Sequence, residues 1–272
     1  MLLFKSKISS TFLVKCIQSN NLPLFDTLQP KGVKLNHHFL SVKLMIQLLL
    51  KIARRITPSS FHKSLTNYHI LSKQFGQHGS MKKWSCVDME GNAIPWYTYP
   101  AIEYIKQLNF KDKTVFEFGS GNSTLFWASR CKQIVAIDDD LLWYNKIKPQ
   151  IPSNCDYLIL TEKESYVKAI HQYEHQFDII IIDGSHRYEC AIEALKKLSP
   201  NGLIILDNAD WRQKTAALLR KADLIEVDMS GFGPINDYTW TTSFFLQRNV
   251  SLQPAHEFQP MHGIGGMANP EY

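Results

Sequence analysis

Apolar and polar positions change their period along this chain, and the change divides it. From residue 114 onward, short apolar runs alternate with stretches whose apolar residues recur every three or four positions. The runs at 114–118, 133–137, 155–160, 177–182, 202–206, 224–228 and 243–247 are β-prone and bounded by turn residues, which predicts seven strands. The stretches at 122–131, 140–148, 162–174, 187–198 and 212–221 predict helices between them. Strand and helix in alternation predict a parallel sheet covered on both faces, with right-handed crossovers. The last connection differs: GFGPINDYTWTT, before Ser243, has no helical pattern. Strands joined without a crossover helix pair antiparallel. The expected fold is α/β: a doubly wound, mostly parallel seven-stranded sheet with an antiparallel last strand.

Upstream the pattern is irregular. Residues 97–108 read as a helix with Pro100 near its first turn. The aromatics just before it, Trp84, Trp96, Tyr97 and Tyr99, either cover a ligand or form a small apolar cluster under a loop. At 38–55, helical spacing gathers Phe39, Val42, Ile46, Leu49, Leu50 and Ala53 on one face and Lys43, Gln47, Lys51 and Arg54 on another. Leu40, Leu44 and Leu48 intrude on the polar side. Such a cationic helix either lies on an anionic membrane surface or packs on the domain that follows. Thr57 to Ser60 is expected to end it, 61–80 reads as a helix or connector, and 1–35 reads as poorly ordered, with only weak signal-peptide or presequence character. The expected organisation is a basic N-terminal helical extension at 1–80 and a domain at 81–272 with its core at 100–248.

Charge sharpens that division. Residues 1–80 hold eleven Lys and Arg against one acidic residue, Asp26, while the rest holds nineteen against twenty-four. The two parts therefore suit different surroundings. Five scattered cysteines contain no C-x-x-C pair, which argues against a zinc site or a disulfide framework and for a reducing, cytoplasmic setting. No apolar run is long enough for an ordinary transmembrane helix.

Candidate chemistry begins at VFEFGSGNST, residues 115–124. A buried strand ends in Glu117; Gly119, Ser120 and Gly121 turn the chain; Asn122 or Ser123 caps the next helix. A strand, a glycine turn and a helix N-terminus suit the polar part of a nucleoside cofactor. The spacing lacks the third glycine of a dinucleotide fingerprint. An acidic residue before the glycines suits a ligand ammonium better than a pyrophosphate. Here the chain resembles class I (Rossmann-like) S-adenosylmethionine-dependent methyltransferases, whose first motif is an acidic residue followed by x-G-x-G-x-G; Ser123 stands in place of the last glycine. The resemblance covers roughly 100–248 and implies S-adenosylmethionine as cofactor. Glu117 would hold its amino-acid end, with Gly119, Gly121 and Ser123 shaping the turn.

In such sheets ligands sit at the carboxyl ends of the strands. The second run ends in Asp138, 21 residues after Glu117, where an acidic side chain can accept both ribose hydroxyls; the alternative is that Asp138 caps the next helix. Thr161 and Glu162 end the third run, where the family contacts adenine. The fourth ends in Asp183, followed by Gly184, Ser185, His186 and Arg187, and the fifth in Asp207, Asn208 and Asp210. If those two strands are neighbours, Asp183, Asp207 and Asn208 offer oxygens suited to Mg²⁺ or Ca²⁺. These positions resemble the magnesium ligands of metal-dependent catechol-type O-methyltransferases. Alternatively, they contact cofactor, cap a helix or make a turn. His186 offers a metal-free general base, and Arg187 either binds an acidic substrate group or pairs with a carboxylate. Phe232, Asn236, Tyr238 and Trp240 either shape a substrate pocket or pack as a loop.

The expected activity is methyl transfer to an oxygen of a small-molecule or sugar-like acceptor. A nicotinamide-linked oxidoreductase and a non-catalytic membrane-associated scaffold are the competing classes. Nucleic acid is a weaker acceptor class, because Asp-Gly-Ser-His stands where enzymes acting on base nitrogens carry an Asn/Asp-Pro-Pro-aromatic run.

Overall fold

The structure, a computed structural model, describes residues 57–267. The expected helix at 38–55, its membrane-facing role and the order of 1–35 lie outside the described residues. The chain divides into two compact units after His69. The described part of the first is helix α1, Ser59–His69, so Thr57 and Pro58 lead into a helix. Proline is tolerated at such a start because its missing N–H has no helical partner there.

The second unit opens with a π-helical turn, Ile70–Gln74, and helix α2, Gln77–Lys83. The stretch 70–80 thus sits with the α/β domain: the Gln77 amide donates to the carbonyl oxygens of Gly233 and Asn236 at 2.9 and 3.1 Å. Helix α3, Tyr99–Lys106, and the two-residue strand β1, Leu108–Asn109, precede the main sheet. Then come β2 (Thr114–Phe118), α4 (Asn122–Ala128), β3 (Gln133–Asp138), α5 (Leu141–Ile147), β4 (Cys155–Ile159), α6 (Lys163–Lys168), β5 (Phe177–Ile182), α7 (Arg187–Lys197), β6 (Leu198–Leu206), α8 (Gln213–Lys221), β7 (Ile225–Gly231) and β8 (Trp240–Leu246). A short β9, Gln253–Pro254, returns to pair with β1.

The seven main strands lie in the order β4-β3-β2-β5-β6-β8-β7. The first five are mutually parallel, and β8 runs antiparallel to both neighbours. Each strand predicted from the pattern is present. Side-chain alternation explains the unbroken apolar runs. Along β5, Ile179 and Ile181 join one core with Ile105, Phe126 and Trp127. Ile180 and Ile182 join the other with Tyr166, Ala191, Ala194 and Leu219. A sheet covered on both faces has no polar face to reveal its period.

This order reverses direction of winding between β2 and β5. The crevice at such a switch point opens at the carboxyl ends of the strands. Glu117, Asp138, Asp183 and Asp207 all end there, one beside each of β2, β3, β5 and β6.

Candidate functional site

The turns after β2 and β5 touch backbone to backbone. Asp183 and Gly184 both donate their N–H groups to the Phe118 carbonyl, at 3.0 and 2.7 Å. Gly119 has φ of +106°, and a Cβ there would stand 2.8 Å from the Gly184 nitrogen. One on Gly184 would reach 2.2 Å from the Tyr166 hydroxyl oxygen. Only glycine permits this conformation and approach.

Glu117 is the base of the turn. Its carboxylate is 0% exposed and accepts hydrogen bonds from the hydroxyls of Ser123 and Thr124. Thr124 in turn accepts from the Gly121 N–H at 3.0 Å. This gives Ser123, at the position of the absent third glycine, a use: its hydroxyl donates to the buried acid. Burial pushes the Glu117 carboxyl up to about 8; the two hydroxyls pull it down, and the neighbouring Asp183 and Asp138 push it up. The expected cap is displaced by one residue. Gly121 is the N-cap, because the Asn122 side chain donates instead to the Ser85 hydroxyl and the Cys86 carbonyl.

Asp138 ends β3 as a nearly buried carboxylate. It accepts from the Ser120 hydroxyl at 2.5 Å and from the Asp140 N–H at 3.0 Å. The Ser120 oxygen also lies 2.7 Å from the Tyr157 hydroxyl. The cap of α5 is Asp140, which accepts from Leu142 and Trp143, so Asp138 is not spent on capping. Burial raises its carboxyl, opposed chiefly by the Ser120 bond. The Trp143 indole donates to the Ser120 carbonyl at 2.9 Å and lies against Gly121. Thr161 and Glu162 are exposed at the end of β4.

Strands β5 and β6 are neighbours, so Asp183, Asp207 and Asn208 do come together. Arg187 lies among them. Its Nε donates to the Gly184 carbonyl at 2.9 Å. One terminal nitrogen donates to the Asp207 carbonyl at 2.5 Å and to Asn208 Oδ1 at 3.1 Å. The other donates to the Asp183 carbonyl at 2.6 Å and to Asp183 Oδ1 at 3.0 Å. These five bonds use all five guanidinium N–H donors, so no donor remains for an acidic substrate group. Asp207 is 3% exposed, and its Oδ1 accepts from the Trp240 indole and the Thr242 hydroxyl at 3.0 and 2.6 Å. Among the described residues no group of three or more His, Cys, Asp or Glu side chains is placed to hold a metal ion. The expected magnesium set meets in space, with the Arg187 guanidinium bonded among its oxygens.

Burial raises Asp183 to about 6, against the pull of Arg187, and raises Asp207 well above the ordinary carboxylate range, with Asp183 adding to the rise. Asp183 keeps 21% of its side chain exposed, and among the described residues its Oδ2 makes no hydrogen bond. His186 sits at φ +50° before α7, its ring edge-on to Tyr166 at 6.1 Å. That backbone conformation is strained for a residue with a Cβ.

The aromatic segment 84–99 is tied to this edge. Thr98 N–H bonds the Thr242 hydroxyl at 3.0 Å, Tyr99 N–H the Phe232 carbonyl at 2.7 Å, and the Trp96 indole Asn236 Oδ1 at 2.9 Å. Tyr97 is fully buried. Its hydroxyl is pushed up by burial first and then by Glu117, Asp183 and Asp207. Phe232, Tyr238 and Trp211 remain exposed at the rim, and the rings of Trp211 and Tyr238 lie 5.9 Å apart. A cavity of about 330 Å³ flanks the glycine turn between Ser85, Asn122, Trp143 and Lys146, but none of the four carboxylates lines it.

Sequence reasoning missed Ser120, Thr124, Tyr157, Trp143 and Thr242. Ser120 stands inside the glycine turn, a signal that was available. Tyr157 and Thr242 face the site only through sheet order, which no local pattern carries.

No protein-family model and no curated protein matches the chain. Solved structures similar to it include an N-methyltransferase, NodS, from Bradyrhizobium japonicum WM9 in complex with S-adenosyl-L-homocysteine, at 18% identity and a TM-score of 0.39 over 51% of this chain and 79% of that one. A precorrin-6y C5,15-methyltransferase from Geobacter metallireducens GS-15 gives 12%, 0.44, 54% and 87%. An rRNA methylase from Streptococcus thermophilus gives 14%, 0.39, 54% and 96%. Likenesses this low carry no weight on activity. The strand order, with its single antiparallel strand next to the last parallel one, gives this chain the Rossmann-like fold of the class I methyltransferases.

Proposed function

We propose that the chain catalyses S-adenosylmethionine-dependent methyl transfer to an oxygen of a small-molecule or sugar-like acceptor. The observation that supports this most is electrostatic. Four carboxylates end four neighbouring strands at one sheet edge, three of them almost wholly buried, against one guanidinium. Burial raises all four. A ligand bearing positive charge would be drawn there, because it favours the ionised forms that burial disfavours. S-adenosylmethionine has both a sulfonium and an ammonium.

In this reading Asp138 accepts from the ribose hydroxyls through its remaining lone pairs. Glu117, anchored by Ser123 and Thr124, supplies negative field to the amino-acid end while Gly119 and Gly121 let the backbone approach. The cofactor supplies an electrophilic methyl: the acceptor oxygen forms the new C–O bond as the C–S bond breaks and its electron pair returns to sulfur. The chain's own task is orientation and removal of the acceptor proton. Asp183 Oδ2 is the better placed base, being open and unbonded, with His186 at the rim as the alternative. The exposed pair Trp211 and Tyr238 suits the stacking of a sugar or other planar acceptor face.

The test is isothermal titration with S-adenosylmethionine and, separately, NAD⁺. Binding of the first alone, lost in Glu117→Ala and Asp138→Ala, is expected. Absence of S-adenosylmethionine binding in the folded wild-type protein would overturn the reading.

A further inference from the structure

We infer that Arg187 is a built-in cation that takes the place of a divalent metal at the β5–β6 edge, so that this site works without one. Its five donors meet five oxygens: the carbonyls of Asp183, Gly184 and Asp207, the Asn208 side-chain oxygen and Asp183 Oδ1. All are hard neutral or anionic oxygens, the ligand type that Mg²⁺, Mn²⁺ or Ca²⁺ prefers. The planar fork and the ion therefore compete for the same donors, and both cannot be accommodated.

Three features make the guanidinium a fixture rather than a passing surface contact. Its side chain is 11% exposed. It follows Asp183 by four residues at the first position of α7, so the turn that ends β5 delivers both groups together. Asn208 is held at φ +50°, a conformation asparagine tolerates better than most residues. Asp207 Oδ1 is taken by Trp240 and Thr242, so among the described residues only its Oδ2 makes no hydrogen bond. Lysine would not replace the arginine, since one ammonium has three donors and no planar fork. Arg187 is thus a positioning residue: it holds the Asp183 carboxylate and the two strand-end turns in register.

The inference stands apart from the methyl-transfer reading, because its test reads metal binding and not activity. Wild-type protein stripped with a chelator is titrated with Mn²⁺ and followed by electron paramagnetic resonance and by thermal midpoint. No saturable Mn²⁺ binding below the millimolar range is expected, and no change in midpoint. Arg187→Ala and Arg187→Gln, which free the five oxygens, should gain saturable Mn²⁺ binding with affinity at least tenfold above wild type. Arg187→Lys should gain none, since its charge stays. Asp183→Asn in the Arg187→Ala background should abolish the gain. Saturable Mn²⁺ binding by the wild type that is lost in Asp183→Asn would overturn the inference. So would folded alanine and glutamine variants that bind no better than wild type. Should neither variant fold, the wild-type titration decides: saturable binding lost in Asp183→Asn refutes, and its absence supports.

Discussion

Replacing Glu117 by glutamine should change how stability depends on pH, by an amount the structure sets. The carboxyl is 0% exposed and shifted from an ordinary 4.5 to about 8, chiefly by burial. A carboxyl raised on folding keeps its proton in the folded state where the unfolded chain has lost it. Its contribution is therefore present in full below pH 4.5 and is lost as pH rises through about 8. Within that window each pH unit removes about 1.4 kcal/mol. From pH 5.5 to 7.5 the wild type should lose about 3 kcal/mol through this one group. Glutamine has no proton to lose. It fits the same hydrogen bonds, because the Ser123 hydroxyl can turn to accept from its amide while Thr124, held by Gly121 N–H, still donates to its carbonyl. Urea unfolding of both proteins across that range isolates the difference, since Asp138, Asp183 and Asp207 remain in each. Stability curves that run parallel, within about 0.5 kcal/mol, would refute the upward shift of Glu117 by burial in the ligand-free protein. Saturating S-adenosylmethionine should flatten the wild-type slope, because a cation beside the carboxylates favours their ionised forms.

Other changes separate the roles around it. Asp138→Asn should weaken S-adenosylmethionine by roughly tenfold to a hundredfold in titration calorimetry, the worth of about 1.5–3 kcal/mol for hydrogen bonds to a charged acceptor. Asp183→Asn should lower turnover by roughly 10² or more while leaving cofactor affinity within a few-fold; wild-type turnover should fall as pH drops through about 6, where the base takes up its proton. Gly184→Ala should cost at least about 2 kcal/mol in urea unfolding, because its Cβ meets the Gly119 backbone and the Tyr166 hydroxyl. Gly79→Ala, inside α2 with nothing within 4 Å of the added carbon, should instead stabilise by about 0.5–1 kcal/mol.

The fold was legible because the central strands of the main sheet carry largely apolar, buried runs, while the edge strand β7 is mixed and mostly exposed. Ile179 to Ile182 are buried on both faces, as a central strand of a sheet covered on both sides must be. The antiparallel β8 was legible from the missing crossover helix. Element ends were less so. Helix α4 stops at Ala128, short of the periodic pattern, and α6 gives way to a 3₁₀ turn at Ala169–Gln172. Strand β6 begins at Leu198, ahead of the apolar run, where its pairing with β5 shifts register between Phe177 and Ile179. The acidic strand ends of the site were legible for the same reason as the strands. Their partners were not. Ser120 bonds Asp138 from 18 positions away, and Thr242 bonds Asp207 from 35. Such pairs exist only once sheet order is fixed.

Arg187 shows what residue type alone leaves undecided. Asp183, Asp207 and Asn208 are sound magnesium ligands by chemistry, and the sheet does bring them together. What decides the site is the count of oxygens against donors. A guanidinium placed one turn after Asp183 reaches both strand ends, and its five N–H groups take up the carbonyls and amide oxygen that an ion would need. A single positive charge offsets only part of the negative charge buried beside it: Glu117 and Asp138 lie beyond its hydrogen bonds and stay raised. Asp183 and Asp207 stay raised as well, so the whole edge is short of positive charge, least so beside Arg187. Under the proposed function a cationic cofactor would sit on the β2–β3 side, and an acceptor that must give up a proton on the β5–β6 side, beside Asp183 Oδ2.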